Sequence, residues 1–318
     1  MVLVVTGCLG FIGSHFVRQM LRLKHKVYGV DSKTYAHNAN VLQEFEYYNN
    51  FHFICEDINN LEHLSDCDYV VNFAAETHVG NSIIDSKTFI HTNVDGVRNL
   101  LTLIRKKPEN IREKPVFVQI STDEVLGDTQ TDKLSEEACL NPSNPYAASK
   151  AAAELLIRSF GRTYEIKYRI IRPTNNYGTH QHYEKFIPLC VRLLQENRKI
   201  RLHNFGTPIR NWIHVEDTCR AIQTVINGGK NGEVYHIGGS EEKTNLSVAV
   251  KIVELYENRM IDVDDYKDYF DFSHHRPGQD MRYAINDEKL RGLGWEPSEK
   301  FDQTIGQIVD FYRLNWRW

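Results

Sequence analysis

The sequence predicts an α/β fold: a doubly wound parallel sheet with helices on both faces, carrying a smaller, discontinuous second domain. Three observations predict it. Short apolar runs alternate with longer amphipathic stretches through the first half of the chain, the pattern of repeated strand–helix units. A glycine-rich turn separates the first of these runs from the first helix. Beyond Arg172 the regularity fades, strands shorten, and Gly, Pro, Asn and aromatic residues increase.

Taken in order, Val2–Thr6 reads as the first strand. Ser14–Leu23 reads as the first helix, with Phe16, Val17, Met20 and Leu21 at helical spacing. Lys26–Asp31, Phe51–Glu56 and Tyr69–Phe73 are the second to fourth strands, and Ile83–Ile104 reads as one long helix. Val116–Ser121 is the fifth strand, the Ala-rich Tyr146–Tyr164 a second long helix, and Tyr168–Arg172 the sixth strand. Val215–Asn227 is helical again and is expected to pack back on the sheet. The expected division is therefore residues 1–172 plus about 212–236 for one domain, and 173–211 plus 237–318 for the other.

Bulk properties narrow the function. A chain of 318 residues holds one large domain or two modest ones, and 41% apolar residues suffice for a packed core. A net charge of −4 with no basic excess argues against nucleic acid as a partner. No apolar run approaches a membrane span, and the first residues lack the basic start and long apolar stretch of a signal peptide. The six cysteines are scattered without C-x-x-C spacing, so no metal site is expected; reduced thiols in a cytoplasmic protein are.

Gly7-Cys8-Leu9-Gly10-Phe11-Ile12-Gly13 has G-x-x-G-x-x-G spacing between a strand and a helix. Glycine allows the tight turn and the close approach of backbone N–H groups to a pyrophosphate, and the helix start faces that charge with its positive dipole end. Asp31 ends the second strand, where a carboxylate accepts hydrogen bonds from both adenosine ribose hydroxyls and repels a 2′-phosphate, which favours NAD over NADP despite Lys33 nearby. Asp57-Ile58 follows the third strand, where an adenine would lie. Ala74-Ala75 ends the fourth, where small side chains admit the cofactor. The fold expected is thus Rossmann-type.

Tyr146-Ala147-Ala148-Ser149-Lys150 gives Y-x-x-x-K at a helix start, with phenol and ammonium on one face. A tyrosine acting as base near neutral pH needs a depression of roughly three pKa units, which Lys150 and a positive nicotinamide ring are expected to supply. The bare pattern is frequent by chance; it gains weight from Ser121-Thr122 at the carboxyl end of the fifth strand, the ligand side of such sheets. Asp123-Glu124 follow directly. Two adjacent carboxylates are useful where their environments keep one protonated as an acid and the other ionised as a base.

These residues resemble the extended short-chain dehydrogenase/reductase family, and within it the nucleoside-diphosphate-glucose 4,6-dehydratases. The resemblance runs over nearly the whole chain: G-x-x-G-F-I-G-S at Gly7–Ser14, Asp31-Ser32-Lys33-Thr34-Tyr35-Ala36, N-F-A-A-E-T-H-V at Asn72–Val79 and T-N-V from Thr92. It continues with S-T-D-E-V at Ser121–Val125, N-P-Y-x-x-S-K at Asn144–Lys150, N-N-Y-G at Asn175–Gly178, E-K-F-I-P at Glu184–Pro188, R-N-W-I-H-V-E-D at Arg210–Asp217, H-I-G-G at His236–Gly239 and R-P-G-Q-D at Arg276–Asp280. The S-T-D-E run separates dehydratases from sibling epimerases and decarboxylases.

The resemblance implies a reaction. Tyr146, with Thr122 orienting the hydroxyl and Lys150 in support, takes the proton from the sugar O4 while C4 gives hydride to NAD. Glu124 then removes the C5 proton, Asp123 protonates the departing C6 hydroxyl, and hydride returns to C6. The product is a 4-keto-6-deoxy sugar and NAD stays bound throughout. The resemblance further implies that Gly7, Gly10, Phe11, Ile12, Gly13, Asp31, Ser32, Lys33, Thr34, Asp57, Ile58, Ala74, Ala75, Thr92, Tyr146, Lys150 and Asn175 hold the cofactor. His78, Thr122, Asn176, Lys185, Phe186, Arg210, Asn245 and Arg276 then hold the nucleoside-diphosphate-glucose, with Lys185 and Arg210 on its diphosphate. It implies a homodimer through Ile83–Ile104 and Tyr146–Tyr164. Leu126 and Gly80 depart from the family's usual tyrosine and aspartate. The T-H-V-x-N-S wording at Thr77–Ser82 leans to UDP-glucose, Glu242–Leu246 to dTDP-glucose; UDP-glucose is slightly favoured. Two other readings stay open: a nucleotide-sugar 4-epimerase or decarboxylase, and a non-catalytic NAD-binding protein.

Overall fold

A computed structural model of the chain describes residues 1–108 and 113–315. Strands β1 (Val2–Thr6), β2 (Lys26–Asp31), β3 (Phe51–Cys55), β4 (Tyr69–Asn72), β5 (Val116–Ile120) and β6 (Tyr168–Pro173) coincide with the six predicted ones to within a residue. Three short strands follow, β7 (Asn175–Tyr177), β8 (Ile200–Arg201) and β9 (Ile209–His214), and then β10 (Glu233–Ile237) completes a seven-stranded sheet. Its order is β10-β6-β5-β4-β1-β2-β3, with every neighbouring pair parallel. The order reverses between β1 and β4, which opens a crevice at their carboxyl ends.

The helices are α1 (Phe11–Arg22), α2 (Ala39–Glu46), α3 (Val79–Ile84), α4 (Lys87–Ile90), α5 (Gly96–Lys106), α6 (Pro145–Tyr164), α7 (Phe186–Gln195), α8 (Val215–Gly228) and α9 (Asn245–Glu257), with a further helix at Phe301–Leu314. Alternation along β1 shows how both faces are covered. Leu3 and Val5 join the core under α1 and α8, whereas Val4 joins the core under α5 and α6. A third core gathers α7, α9 and Phe301–Leu314 around Tyr177 and Trp212. There β7 and β9 form a small sheet with β11 (Glu241–Thr244), and β8 pairs with β12 (Phe270–Asp271). At the crevice a buried polar row crosses the main sheet: Thr6 Oγ1 donates to Asn72 Oδ1, and Asn72 Nδ2 donates to Gln119 Oε1 at 2.8 Å. Each member is partnered, so the row does not carry the penalty of an unmade buried hydrogen bond.

Two helices differ from expectation. The first begins at Phe11 rather than Ser14, because Gly13 already lies within the helix: a Cβ there would stand 2.1 Å from the carbonyl oxygen of Gly7. The expected long helix Ile83–Ile104 is broken. Asp85 is extended (φ −146°, ψ 112°), and a π-turn spans His91–Asp95 before α5. That turn carries Asn93 inward, where Oδ1 accepts from Glu76 N (2.9 Å) and Nδ2 donates to Glu76 O (3.0 Å) and Ser149 Oγ (2.8 Å). The hydrophobic period reported the buried face but not the inserted residue. No helix among the described residues is long and apolar enough to cross a membrane.

Candidate active site

The crevice begins at Gly7, whose φ of +65° and approach to β4 exclude a side chain; a Cβ would meet Ala74 N at 2.7 Å. Gly10 caps α1 without a side-chain acceptor, which leaves the helix's first N–H groups for a ligand. Asp31, at the end of β2, accepts from Leu9 N (3.0 Å) with Oδ2 and from Lys33 N (2.9 Å) with Oδ1. It therefore anchors the loop as well as facing the cleft, and burial raises its pKa.

Two connected clefts share Gly7, Gly10, Ala36, Phe73 and Ala75. The narrower one is lined also by Asp31, Ser32, Thr34, Asp57, Ile58, Ala74 and Thr92. The larger, about 1180 Å³ and open to solvent, is lined also by Phe11, Ile12, Gly13, Thr122, Asp123, Glu124, Tyr146, Lys150, Asn175, Asn176 and Lys185. The expected cofactor and sugar residues thus line two adjoining clefts with a shared wall. Lys33 is outside the lining, its Nζ over the Phe53 ring at 5.1 Å, so it does not offer a charge to a 2′-phosphate.

The T-D-E run winds into a 3-10 turn at Asp123–Leu126, with Thr122 as its cap accepting from Glu124 N at 3.3 Å. This turn presents both carboxylates to the larger cleft. Asp123 is 3% exposed and its Oδ2 has no hydrogen-bond partner. Burial, with the Glu124 charge, pushes its carboxyl up to about 7, although Arg210 opposes. Burial also raises Glu124, but Arg210, a bond from Asn144 Nδ2 (3.4 Å), Arg276 and Lys185 pull it down. The two acids therefore stand in unlike environments.

Pro145 starts α6 and Asn144 caps it, with Oδ1 accepting from Ala147 N at 2.9 Å. Tyr146 and Lys150 are both buried on the cleft side. The electrostatics of Tyr146 run opposite to expectation: burial and the charges of Glu124 and Asp123 raise the phenol, while Thr122 lowers it. Lys150 Nζ donates to the Ile120 carbonyl at 2.6 Å, and burial lowers it to about 8 against the pull of Glu154. In the protein alone, then, the ammonium is held by backbone and the phenol is firmly protonated. Behind them Ser121 Oγ donates to Glu154, which forms a fully buried ion pair with Arg172.

The remaining predicted residues divide. Lys185 donates to Thr77 Oγ1 at 2.9 Å across the cleft. Arg210 is buried behind the carboxylates, donating to Asp280 O at 2.9 Å, and Arg276 Nε is buried without a partner. His78 caps α3 through Nδ1, Phe186 stacks on Trp212 at 6.3 Å, and Asn245 opens α9 with its N–H donating to Pro208 O. These three, like Arg210 and Arg276, lie outside the cleft lining, and each of the three is drawn into local structure. Sequence reasoning missed Asn144, readable as a cap before Pro145, and Tyr283, which carries no local signal.

The fold is that of the extended short-chain dehydrogenase/reductase class. Within it, the chain belongs to the family described as GDP-mannose 4,6 dehydratase, whose model matches residues 4–308. It is 38% identical to the low-salt glycan biosynthesis protein Agl12 of Haloferax volcanii over 97% of both chains. It is 37% identical to a dTDP-glucose 4,6-dehydratase of Xanthomonas campestris, over 99% of this chain and 94% of that one. The structure of DesIV, a dTDP-glucose 4,6-dehydratase of Streptomyces venezuelae with NAD and TYD bound, superposes with a TM-score of 0.91 at 37% identity, covering 99% and 98%. A UDP-glucuronic acid 4-epimerase of Bacillus cereus, 24% identical with a TM-score of 0.89 and 99% coverage of each chain, shares the fold.

Proposed function

We propose that the protein is an NAD-dependent lyase that dehydrates a nucleoside-diphosphate-glucose to its 4-keto-6-deoxy form. One observation carries this reading: Asp123 and Glu124 share a single turn in the cleft that holds Tyr146 and Lys150, yet differ in burial and partners. The relatives named dTDP-glucose 4,6-dehydratase support it. The residues fit NAD: a glycine turn no side chain can enter, an uncapped helix start and Asp31 at the ribose position. NAD, held by the glycine turn and Asp31, would supply reversible hydride acceptance for the C4 oxidation and the C6 reduction.

The chain's own groups do the rest. Thr122 and Tyr146 orient O4, and Tyr146, whose phenol is protonated in the protein alone, takes the O4 proton only from the state in which the positive charge of a bound nicotinamide would have ionised it. The resulting 4-ketone acidifies C5–H. Glu124 removes that proton, Asp123, kept protonated by burial, delivers its proton to the C6 hydroxyl, which leaves as water, and Glu124 returns its proton to C5 when C6 is reduced. Arg210, Arg276 and Lys185 supply positive charge around the carboxylates and a diphosphate. On the nucleobase two lines of support diverge: the T-H-V-x-N-S wording favours UDP, whereas the relatives' names favour dTDP.

Incubation with UDP-glucose and dTDP-glucose separately, reading kcat/KM and the chromophore that alkali develops from 4-keto-6-deoxy sugars, tests both points. An epimerised, chromophore-free product on either substrate would overturn the dehydratase reading. We further propose a homodimer, supported by the exposed apolar side chains of Ile84 (86%), Ile90 (45%) and Leu155 (59%) on α3, α4 and α6. The division into a sheet domain and a substrate domain is part of the same proposal.

A further inference from the structure

Directly behind the reacting groups lies an ion pair that the mechanism above does not use. Glu154 and Arg172 are both 0% exposed. The guanidinium holds the carboxylate by two bonds, Nε to Oε1 at 3.0 Å and Nη2 to Oε2 at 2.6 Å. Its remaining nitrogen, Nη1, donates to the Glu136 carbonyl (3.4 Å) and to His236 Nε2 (3.2 Å). His236 accepts there because burial and the Arg172 charge keep it neutral, lowered to about 3, while its Nδ1 donates to the Asn286 carbonyl (3.0 Å). One bond of Glu154 points the other way, toward the site: Oε1 accepts from the Ser121 hydroxyl at 2.6 Å. A buried ion pair is a weak source of stability, since apolar side chains of similar volume serve as well. Its place in the fold points to another use.

Two side chains span the gap between the end of β5 and α6. Lys150 Nζ reaches from the helix to the Ile120 carbonyl at 2.6 Å. Ser121, the next residue along, reaches back to Glu154, which stands one helical turn beyond Lys150. Thr122 follows Ser121 directly, and Tyr146 stands one turn before Lys150. Resting on the dehydratase reading, we infer that Glu154 is a positioning residue for the first hydride transfer: by holding Ser121 to α6 it fixes Thr122 against Tyr146, and it sets an anion one turn behind the Lys150 ammonium. A carboxylate suits both tasks, because it accepts from a hydroxyl and favours a neighbouring cation. Burial lowers Lys150 to about 8, and Glu154 is the charge that opposes that fall. The other titratable groups around Lys150 are Tyr146 on its own helix, Asp123 and Glu124 on the turn after β5, and Glu184 and Lys185 before α7. Arg172 and His236 stand behind the sheet, and His91 and Asp95 of the adjoining π-turn pair with each other near the surface.

Ser121→Ala removes the tie and leaves every charge in place. On UDP-glucose or dTDP-glucose, whichever the wild-type enzyme turns over, its kcat is expected to fall roughly tenfold with KM within about twofold. Deuterium at C4 should slow this variant more than it slows wild type, because hydride transfer has become the slow step. Reduced nicotinamide should not build up, since the later elimination keeps its rate. Its pH profile should keep the wild-type basic limb. Glu154→Gln combined with Arg172→Met removes both charges together, so neither is left buried and unpaired, and the amide oxygen still accepts from Ser121. Here the basic limb of kcat should move about one unit to lower pH, because the Lys150 ammonium has lost its anion. Ser121→Ala decides the question alone if the double variant melts early. Unchanged kcat and isotope effect in Ser121→Ala, build-up of reduced nicotinamide in that variant, or a basic limb unmoved in the double variant overturns the inference. Wild-type enzyme that makes no 4-keto-6-deoxy product sinks the dehydratase reading instead, a separate outcome.

Discussion

Asp123 and Glu124 adjoin in sequence but differ in burial and partners, and the proposed mechanism divides the elimination between them on that ground. Glu124→Gln removes the proposed base and leaves Tyr146, Lys150 and the glycine turn untouched. Dehydration should fall roughly 10²- to 10⁴-fold while the first hydride transfer survives; unaltered dehydration would refute the base assignment. Asp123 carries a linked stability effect. Its carboxyl moves from about 3.9 in an unfolded chain to about 7 when folded. A raised acid stabilises the fold below its unfolded pKa, and that contribution is lost as pH rises through the folded value. Asp123→Asn should therefore be more stable than wild type above pH 7, by up to about 4 kcal/mol, and match it near pH 4, while slowing elimination. Thermal denaturation at the two pH values checks the sign.

At the scale of elements, the site is a set of strand ends and helix starts. β1 delivers the glycine turn, β2 delivers Asp31, β5 delivers Thr122 and the acid pair, and the start of α6 delivers Tyr146. These were legible because each depends on a few neighbouring residues: turn glycines, a strand end, an i, i+4 spacing. Gly13 tests the tightness of the first of them. In Gly13→Ala the added Cβ would stand 2.1 Å from backbone, which cannot yield as a side chain does. The variant should lose roughly 1–3 kcal/mol of stability and copurify with little NAD; full cofactor occupancy would show that the turn tolerates displacement. The break at Asp85 and the π-turn at His91–Asp95 were illegible, because hydrophobic period is nearly blind to one inserted residue. Asn93 requires that insertion to reach Glu76 and Ser149, partners distant in sequence.

Over the whole molecule, β10 returns from late in the chain to finish the main sheet, and Arg210, Arg276, Asp280 and Tyr283 gather around an acid pair born on β5. If the apolar faces of α3, α4 and α6 meet a second copy, sedimentation should report a dimer, and Ile84→Glu should shift it toward monomer with the far-ultraviolet spectrum unchanged. A wild-type monomer at micromolar concentration would end that proposal. The sequence by itself determined the six main strands, the glycine turn and the set of side chains that the structure gathers in one cleft, because those follow from local backbone demands and from residue chemistry. Tertiary structure alone decided how far burial raises the Asp123 carboxyl, that Lys150 Nζ meets the Ile120 carbonyl and which distant charges surround Glu124. Those depend on burial and on charges brought together from remote segments, and no spacing along the chain records a dielectric.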